Sequence, residues 1–243
     1  MKIAVVVFPG SGGVQDAVYA YQDVLKQEVY TVWHQEELIG DADMLIIPGG
    51  AAFGDYLRPG ALVKASPICG AIRKFARDDL PIIGIGNGFQ ILCELEILPG
   101  ILLPNASSRF LNTETHLVTQ NNKSIWTRHL EEDSVLKMPI SCYYGRYYAD
   151  KRTLKDLEEM GHVAFRFCDA DGDVDTDEPF NASTNAIAGI LSRHENILGI
   201  VTHPERAVEK FMGSCDGLEI LSSVLKGEVV KAIVEDDDDD DDD

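Results

Sequence analysis

Short apolar runs alternate with amphipathic stretches along the first hundred residues. Four apolar runs predict buried strands, at 2–8, 29–33, 44–47 and 82–85. Apolar residues at helical spacing predict the helices between and after them, at 14–27, 61–78 and 87–98. Strands and helices that alternate in this way predict an α/β fold with a parallel, doubly wound sheet. In such sheets, binding sites lie at the carboxyl ends of the strands.

The pattern changes after residue 105. Shorter and more polar segments, such as 115–119 and 163–167, predict antiparallel strands, and 169–185 predicts a long surface loop rich in Asp, Asn and Ser. Further elements are predicted to follow: a hairpin of 186–191 and 197–201, a helix that begins at Pro204, and a last helix at about 216–226. No internal linker interrupts this pattern, so we expect one domain over residues 1–234, with an antiparallel portion added to the parallel sheet.

Charge separates the end of the chain from its body. The formal net charge is −20, and residues 235–243 are one glutamate followed by eight aspartates. Without these nine charges the body still carries −11, which disfavours nucleic acid and anionic membranes as partners. We expect the acidic run to be a disordered, solvated tail; the alternative is an arm for a basic partner.

Cysteine usage and hydropathy restrict the setting of the protein. The five cysteines are scattered and show no CxxC spacing, which argues against a disulfide framework and against a zinc site. No apolar run approaches the roughly 20 residues that span a bilayer, and the N-terminal run is typical of a first strand. We therefore expect a cytoplasmic protein without metal or cofactor.

Three glycine-rich turns follow predicted strands, at 9–13, 48–50 and 86–88. The stretch PIIGIGNGFQIL, residues 81–92, has the outline of a nucleophile elbow, a strand–turn–helix that presents one reactive side chain. Gly86 stands where that side chain belongs. The backbone N–H groups of Gly50 and Asn87 are candidate donors to an oxyanion, although Gly49-Gly50 also fits an ordinary tight turn.

His203 and Glu205 flank a proline at the end of a predicted strand. A histidine that serves as general base needs a carboxylate to fix its tautomer and orientation, and residues two apart on an extended turn can provide this pair. The motif alone is weak, and a capping glutamate with a surface histidine is then the favoured interpretation. Together with the elbow and the Pro-Gly-Gly turn, it predicts a triad site that lacks its nucleophile.

Several longer stretches carry a family resemblance. They are VVFPGSGG (6–13), LIIPGGAAFGDYLRPGAL (45–62), NGFQILCEL (87–95) and HPERAVEKFMGSCDGLEIL (203–221). The sequence resembles the glutaminase subunits of phosphoribosylformylglycinamidine synthase, class I glutamine amidotransferases of purine biosynthesis with a flavodoxin-like sheet. In that family a Cys-His-Glu triad hydrolyses glutamine, and the ammonia passes to a synthetase subunit that uses ATP.

The resemblance implies roles for six positions. His203 and Glu205 match the base and its carboxylate, Gly50 and Asn87 match the oxyanion hole, and Gln90 matches a substrate-binding residue. The nucleophile falls on Gly86.

The chain departs from the family at the pocket. The family's elbow carries cysteine where this chain has Gly86, and its His-Gly-Glu-Gly run is replaced by Cys142-Tyr143-Tyr144-Gly145. We therefore expect no glutaminase activity from the chain as written. Cys142 fits a small, semi-buried residue better than a replacement nucleophile.

Three functions fit these observations. The chain is a glutaminase subunit disabled at Gly86, or a pseudoenzyme that supports a synthetase partner fed by free ammonia, or a binding module for a small amide or amino acid. Glutamine is an expected ligand only if the two tyrosines leave the pocket open.

Overall fold

A nine-stranded mixed sheet runs through the computed structural model, which describes residues 1–225. The predicted acidic tail and the end of the predicted domain 1–234 lie outside the described residues. Strand order across the sheet is β2-β1-β3-β4-β11-β10-β9-β6-β7, and β5 pairs with β8 in a small second sheet. The strands are β1 Lys2–Val7, β2 Glu28–Trp33, β3 Met44–Ile47, β4 Ile82–Ile85, β5 Ile101–Leu103, β6 Leu111–Thr119, β7 Val135–Cys142, β8 Arg146–Tyr148, β9 Val163–Cys168, β10 Ile187–Leu191 and β11 Ile197–Ile200.

The first half of the sheet is parallel and the second half is antiparallel. Strands β2, β1, β3, β4 and β11 pair in parallel, whereas β10, β9, β6 and β7 continue the sheet with antiparallel pairs. This arrangement confirms the predicted fold class, including the hairpin of β10 and β11. Every residue of β3, β4 and β11 is buried, as expected for parallel strands covered on both faces.

The helices are shorter than the sequence predicted. They are α1 Val14–Val18, α2 Ile68–Arg77, α3 Asn87–Glu94, α4 Lys151–Glu159 and α5 Asp216–Ser223. The predicted helix 14–27 begins as α1 and continues as a π-helix over Tyr19–Val24. The predicted helix 61–78 is divided because Ser66, which precedes Pro67, is extended; a 3₁₀ turn over Leu62–Ala65 lies before α2.

The helix predicted to begin at Pro204 is a single 3₁₀ turn, Pro204–Arg206. Helix α5 approaches this turn closely: the N–H of Gly217 donates to the carbonyl of Ala207 at 2.8 Å. A Cβ at Gly217 would overlap the carbonyl oxygen of Pro204, so only glycine permits the approach. Ala207 leaves the helical region with φ −134°, and the turn ends there.

Within residues 1–225, no helix is both long enough and apolar enough to cross a lipid bilayer.

Candidate active site

The topology brings the three predicted segments of the site together. Strand β4 lies between β3 and β11, and all three run in the same direction. Gly50 therefore follows β3, Gly86 follows β4 and His203 follows β11, so all three lie at the carboxyl ends of neighbouring strands. The N–H of Gly86 donates to the carbonyl of Ile200 at 2.8 Å, which fixes the elbow against the end of β11.

Gly86 has the backbone conformation of an elbow. Its φ of 52° and ψ of −106° lie outside the regions that L-residues adopt readily, and it caps α3. A Cβ built at Gly86 would lie 3.2 Å from Cε1 and 3.4 Å from Nε2 of His203. The position of the missing side chain therefore faces the imidazole directly.

His203 and Glu205 form the expected pair. Nδ1 of His203 donates to Oε1 of Glu205 at 2.7 Å, and both side chains are almost completely buried. The backbone N–H of His203 donates to the carbonyl of Pro139 at 2.9 Å, and Nε2 lies 3.3 Å from the carbonyl oxygen of Ser141. Strand β7 thus holds the imidazole from one side while Glu205 holds it from the other.

Helix α1 and the π-helix support the segment that carries this pair. Arg206 donates from Nε to Asp16 at 2.8 Å, and the Tyr19 hydroxyl donates to Glu209 at 2.6 Å. Tyr21 of the π-helix is fully buried, and burial, then the Glu205 carboxylate, raise the pKa of its phenol well above the ordinary value. Neither the Tyr21 hydroxyl nor Oε2 of Glu205 has a hydrogen-bond partner within residues 1–225.

The two predicted oxyanion donors face one cavity. Gly50 and Asn87 both line it, and no hydrogen bond among residues 1–225 uses the backbone N–H of either. Gly50 has φ 134°, and a Cβ there would overlap the backbone nitrogen of Gly12. Both N–H groups are therefore available to donate to a ligand oxygen.

Side-chain amides form the floor of this cavity. Asn87 accepts from the N–H of Ala52 at 3.0 Å, and its Nδ2 donates to Asp55 at 3.1 Å and to Oε1 of Gln90 at 2.7 Å. Nε2 of Gln90 donates to the carbonyl of Tyr144 at 2.7 Å. Gln90 lines the cavity, but one N–H and one lone pair of its amide are already engaged.

The tyrosines that replace the family's small and acidic residues leave the cavity open. Its volume is about 250 Å³, and Tyr143 and Tyr144 line it with their rings in an edge-to-face contact, 5.0 Å between centroids. Tyr143 keeps 38% of its surface exposed. The volume lies just below the range of about 300–1,000 Å³ typical of drug-sized ligands, which leaves room for a small molecule.

Two charged residues of the cavity were not singled out from the sequence, Asp55 and Arg206. Burial raises the pKa of Asp55 to about 6, and the hydrogen bond from Asn87 opposes that shift. Each lies inside a motif that carried the family resemblance, GDYLR at 54–58 and HPER at 203–206. The motifs marked the family, but the pattern gave no indication that these two side chains share a cavity.

Cys142 also lines the cavity but is not activated. Burial raises the pKa of its thiol to about 12, so the thiolate is scarce near neutral pH. Its Sγ lies 3.9 Å from Oδ1 of Asn105. Among residues 1–225, no cluster of His, Cys, Asp or Glu side chains has the arrangement of a metal site.

The chain is similar in sequence to a known domain family and to curated relatives. Residues 1–222 match the model of the CobB/CobQ-like glutamine amidotransferase domain. The phosphoribosylformylglycinamidine synthase subunit PurQ of Aquifex aeolicus is 44% identical over 225 residues, which cover 93% of this chain and 99% of the relative. The PurQ subunit of Salinibacter ruber is 43% identical over 224 residues, 92% of this chain and 95% of the relative.

Solved structures agree with these relatives. A chain in the structure of PurLQS from Thermotoga maritima superposes with a TM-score of 0.81 at 35% identity, covering 92% of this chain and 97% of that chain. A glutamine amidotransferase from Thermotoga maritima superposes with a TM-score of 0.57 at 10% identity, covering 97% of each chain, which supports the fold alone.

Proposed function

Because the chain belongs to the family of phosphoribosylformylglycinamidine synthase subunits PurQ, we propose that it is the amidotransferase-type subunit of that synthase but does not hydrolyse glutamine. It docks on a synthetase subunit, which then draws on free ammonia. In this proposal the chain retains the fold, the base and the oxyanion donors of the family. It lacks the nucleophilic side chain that would form a covalent intermediate.

One observation carries this proposal. The position that faces Nε2 of His203 at 3.4 Å belongs to Gly86, which has no side chain. The imidazole therefore has no thiol or hydroxyl of residue 86 from which to take a proton. The thiol that does line the cavity, that of Cys142, is held protonated by burial. Triad enzymes that lose their nucleophile keep only the small residual acceleration that binding and the oxyanion hole provide.

Exposed apolar residues beside the cavity support a docking role. Tyr56 and Leu57 follow Asp55 directly and are 73% and 85% exposed. Leu57 also has φ 68°, a conformation that is uncommon for residues other than glycine. Large apolar side chains held in the solvent next to a site are typical of interaction surfaces.

Reconstitution with the synthetase subunit of the same organism tests the proposal. We expect a stable complex, ATP-dependent product formation with ammonium chloride, and no product with glutamine. Ammonia release from glutamine at about 1 per second or faster would overturn the pseudoenzyme proposal. Failure to bind the synthetase would overturn the docking role.

Matched variants sharpen the docking test. Leu57→Ser should weaken the complex, because it removes an exposed apolar contact beside the cavity. Leu38→Ser is the control, since Leu38 is 78% exposed and does not line the cavity. Equal effects of the two variants would show that the exposed pair Tyr56 and Leu57 is not the docking surface.

A second function is favoured by the cavity itself. Its charged residues, Asp55 and Arg206, match the ammonium and carboxylate groups of a small amino acid, and the free N–H groups of Gly50 and Asn87 match an amide oxygen. Calorimetry with glutamine tests this binding role. A dissociation constant below about 1 mM, roughly 4 kcal/mol, would support it, and no heat in that range would exclude it.

A further inference from the structure

A second large cavity lies at the opposite end of the sheet. It has a volume of about 440 Å³ and sits beside the first residue of β11, Ile197, whereas His203 lies beyond the last residue of that strand. Three arginines line it, Arg73, Arg77 and Arg193. We call this site the arginine cavity. It shares no lining residue with the cavity of Gly86 and His203.

The three arginines come from two parts of the fold. Arg73 and Arg77 are four residues apart on α2, which places them on one face of that helix. Arg193 lies in the turn between β10 and β11. None of the three guanidinium groups makes an ion pair or a hydrogen bond within residues 1–225.

The carboxylates that line the cavity, Asp79 and Glu96, make no ion pair with these arginines in the described part of the chain. Asp79 lies 2.7 Å from Nδ1 of His194 and is engaged there, and Glu96 makes no ion pair with any of the three. The chain has 41 acidic residues against 21 Lys and Arg, so a group of unpaired arginines is unexpected. Like charges held together repel, and an anion in the cavity would relieve that repulsion.

The end of the described chain is linked to this cavity through Arg128 and Trp126. Leu225 is the last described residue, and its carbonyl accepts from Arg128 at 3.2 Å. Two residues before Arg128, the indole N–H of Trp126 donates to the carbonyl of Asn196 at 3.0 Å. Asn196 lines the arginine cavity. Residues 226–234 connect Leu225 to the acidic run, and nine residues reach up to about 30 Å when extended.

We propose that the arginine cavity binds the acidic run of the same chain, Glu235–Asp243. Guanidinium groups bind carboxylates through paired hydrogen bonds, and three of them in one concave site suit a peptide that carries consecutive carboxylates. The contact connects the end of the chain to α2 and to the β10–β11 turn. It does not depend on glutamine chemistry or on the synthetase.

Fluorescence anisotropy of an uncharged dye attached after Asp243 tests the proposal on the full chain. Binding of the acidic run restricts the dye at about 0.01 M salt, where the Debye length is about 30 Å, and high salt releases it at about 1 M, where that length is about 3 Å. We expect anisotropy to fall at high salt. In the variant Arg73→Gln, Arg77→Gln, Arg193→Gln, it should be low at both salt concentrations.

A control variant with the same change of charge distinguishes binding in the arginine cavity from an effect of the overall charge of the protein. Lys74, Lys123 and Lys151 are exposed and do not line the cavity. The variant Lys74→Gln, Lys123→Gln, Lys151→Gln should keep the anisotropy of the unaltered chain. Equal losses in both triple variants, or no loss in the arginine variant, would overturn the proposal.

Three further outcomes are decisive. Replacement of all eight aspartates by asparagine leaves the arginines intact and should lower the anisotropy as far as the arginine variant does, so a folding defect in that variant cannot account for the result. Anisotropy that depends on protein concentration would show that the acidic run binds a second copy, which contradicts binding within one chain. Competition by inorganic phosphate without any effect of the aspartate replacements would identify a phosphate site instead.

Discussion

Restoring the elbow's side chain should cost stability and create a reactive thiol at the same time. Gly86 has φ 52° and ψ −106°, and a non-glycine residue held in such a sparsely populated region costs about 1–3 kcal/mol. A Cβ there would also lie 3.2 Å from Cε1 of His203, so the buried ring must move by a few tenths of an ångström. We expect Gly86→Cys and Gly86→Ala to lower the free energy of unfolding by similar amounts, in the range of about 1–3 kcal/mol.

Only Gly86→Cys carries a thiol, so the reactivity of residue 86 distinguishes it from Gly86→Ala. Cysteine beside an imidazole has its pKa lowered from about 8.5, to between about 3.5 and 7.5 in known cases. Alkylation by iodoacetamide, followed by mass spectrometry as a function of pH, should therefore label residue 86 below pH 8. Cys142 should stay unlabelled there, because burial raises the pKa of its thiol to about 12.

Two results would refute this reasoning. Urea denaturation that finds Gly86→Ala as stable as the unaltered chain would show that the elbow is not strained. A new thiol that titrates near pH 8.5 would show that His203 is not placed to activate it. Glutaminase activity in Gly86→Cys that is lost when His203→Ala is added would assign the base directly.

Three further outcomes follow from the geometry of the site. Gly88→Ala should lower the yield of folded protein in expression trials or cost more than about 3 kcal/mol, since its Cβ would overlap the carbonyl oxygen of Ile47 in a packed core; a mild loss in urea denaturation would contradict the elbow geometry. Asp55 has its pKa raised to about 6, so the stability it contributes is present below about pH 4 and is lost as the pH rises through 6; Asp55→Asn should remove this loss, about 1 kcal/mol after allowance for its partial exposure, and an unchanged pH profile of denaturation would refute it. Tyr21→Phe removes a buried hydroxyl that has no partner within residues 1–225 and should raise the free energy of unfolding by about 1 kcal/mol; a decrease would show that the hydroxyl is hydrogen-bonded.

The parallel half of the fold was predictable because burial on both faces leaves an uninterrupted apolar run. Met44–Ile47 and Ile82–Ile85 were predicted to the residue for this reason. Strand β7, Val135–Cys142, was not predicted, and Pro139 in its middle argues against a central strand. The structure explains the exception, since β7 is the edge strand of the sheet and pairs only with β6.

The helices show where local pattern is insufficient. Helix α4 is strongly polar and was missed, although Asp150 caps it by accepting from the N–H groups of Arg152 and Thr153. The helix predicted from Pro204 is a single 3₁₀ turn. The contacts of this segment with α5 are not local in sequence, so the local pattern could not show them.

The predicted site residues come together because glycine turns mark the ends of parallel strands. Gly50, Gly86 and His203 were expected to meet because each follows a predicted strand, and sites in such sheets lie at the carboxyl ends of strands. The environment of the cavity could not be predicted from the sequence, because it depends on backbone atoms from distant segments. The carbonyl of Tyr144, which binds Gln90, is 54 residues away from it in sequence.

The pairing of β4 with β11 has a consequence for how the protein is made. Gly86 donates its N–H to Ile200, so the two halves of the site are separated by more than a hundred residues of chain. Contacts of such long sequence separation form late, because the intervening chain must be ordered first. A ribosome that has released β1 to β4 has exposed an apolar strand edge that lacks its neighbour until β11 emerges. During synthesis, β4, whose end carries Gly86, is therefore an edge strand whose unpaired side can pair with a wrong partner.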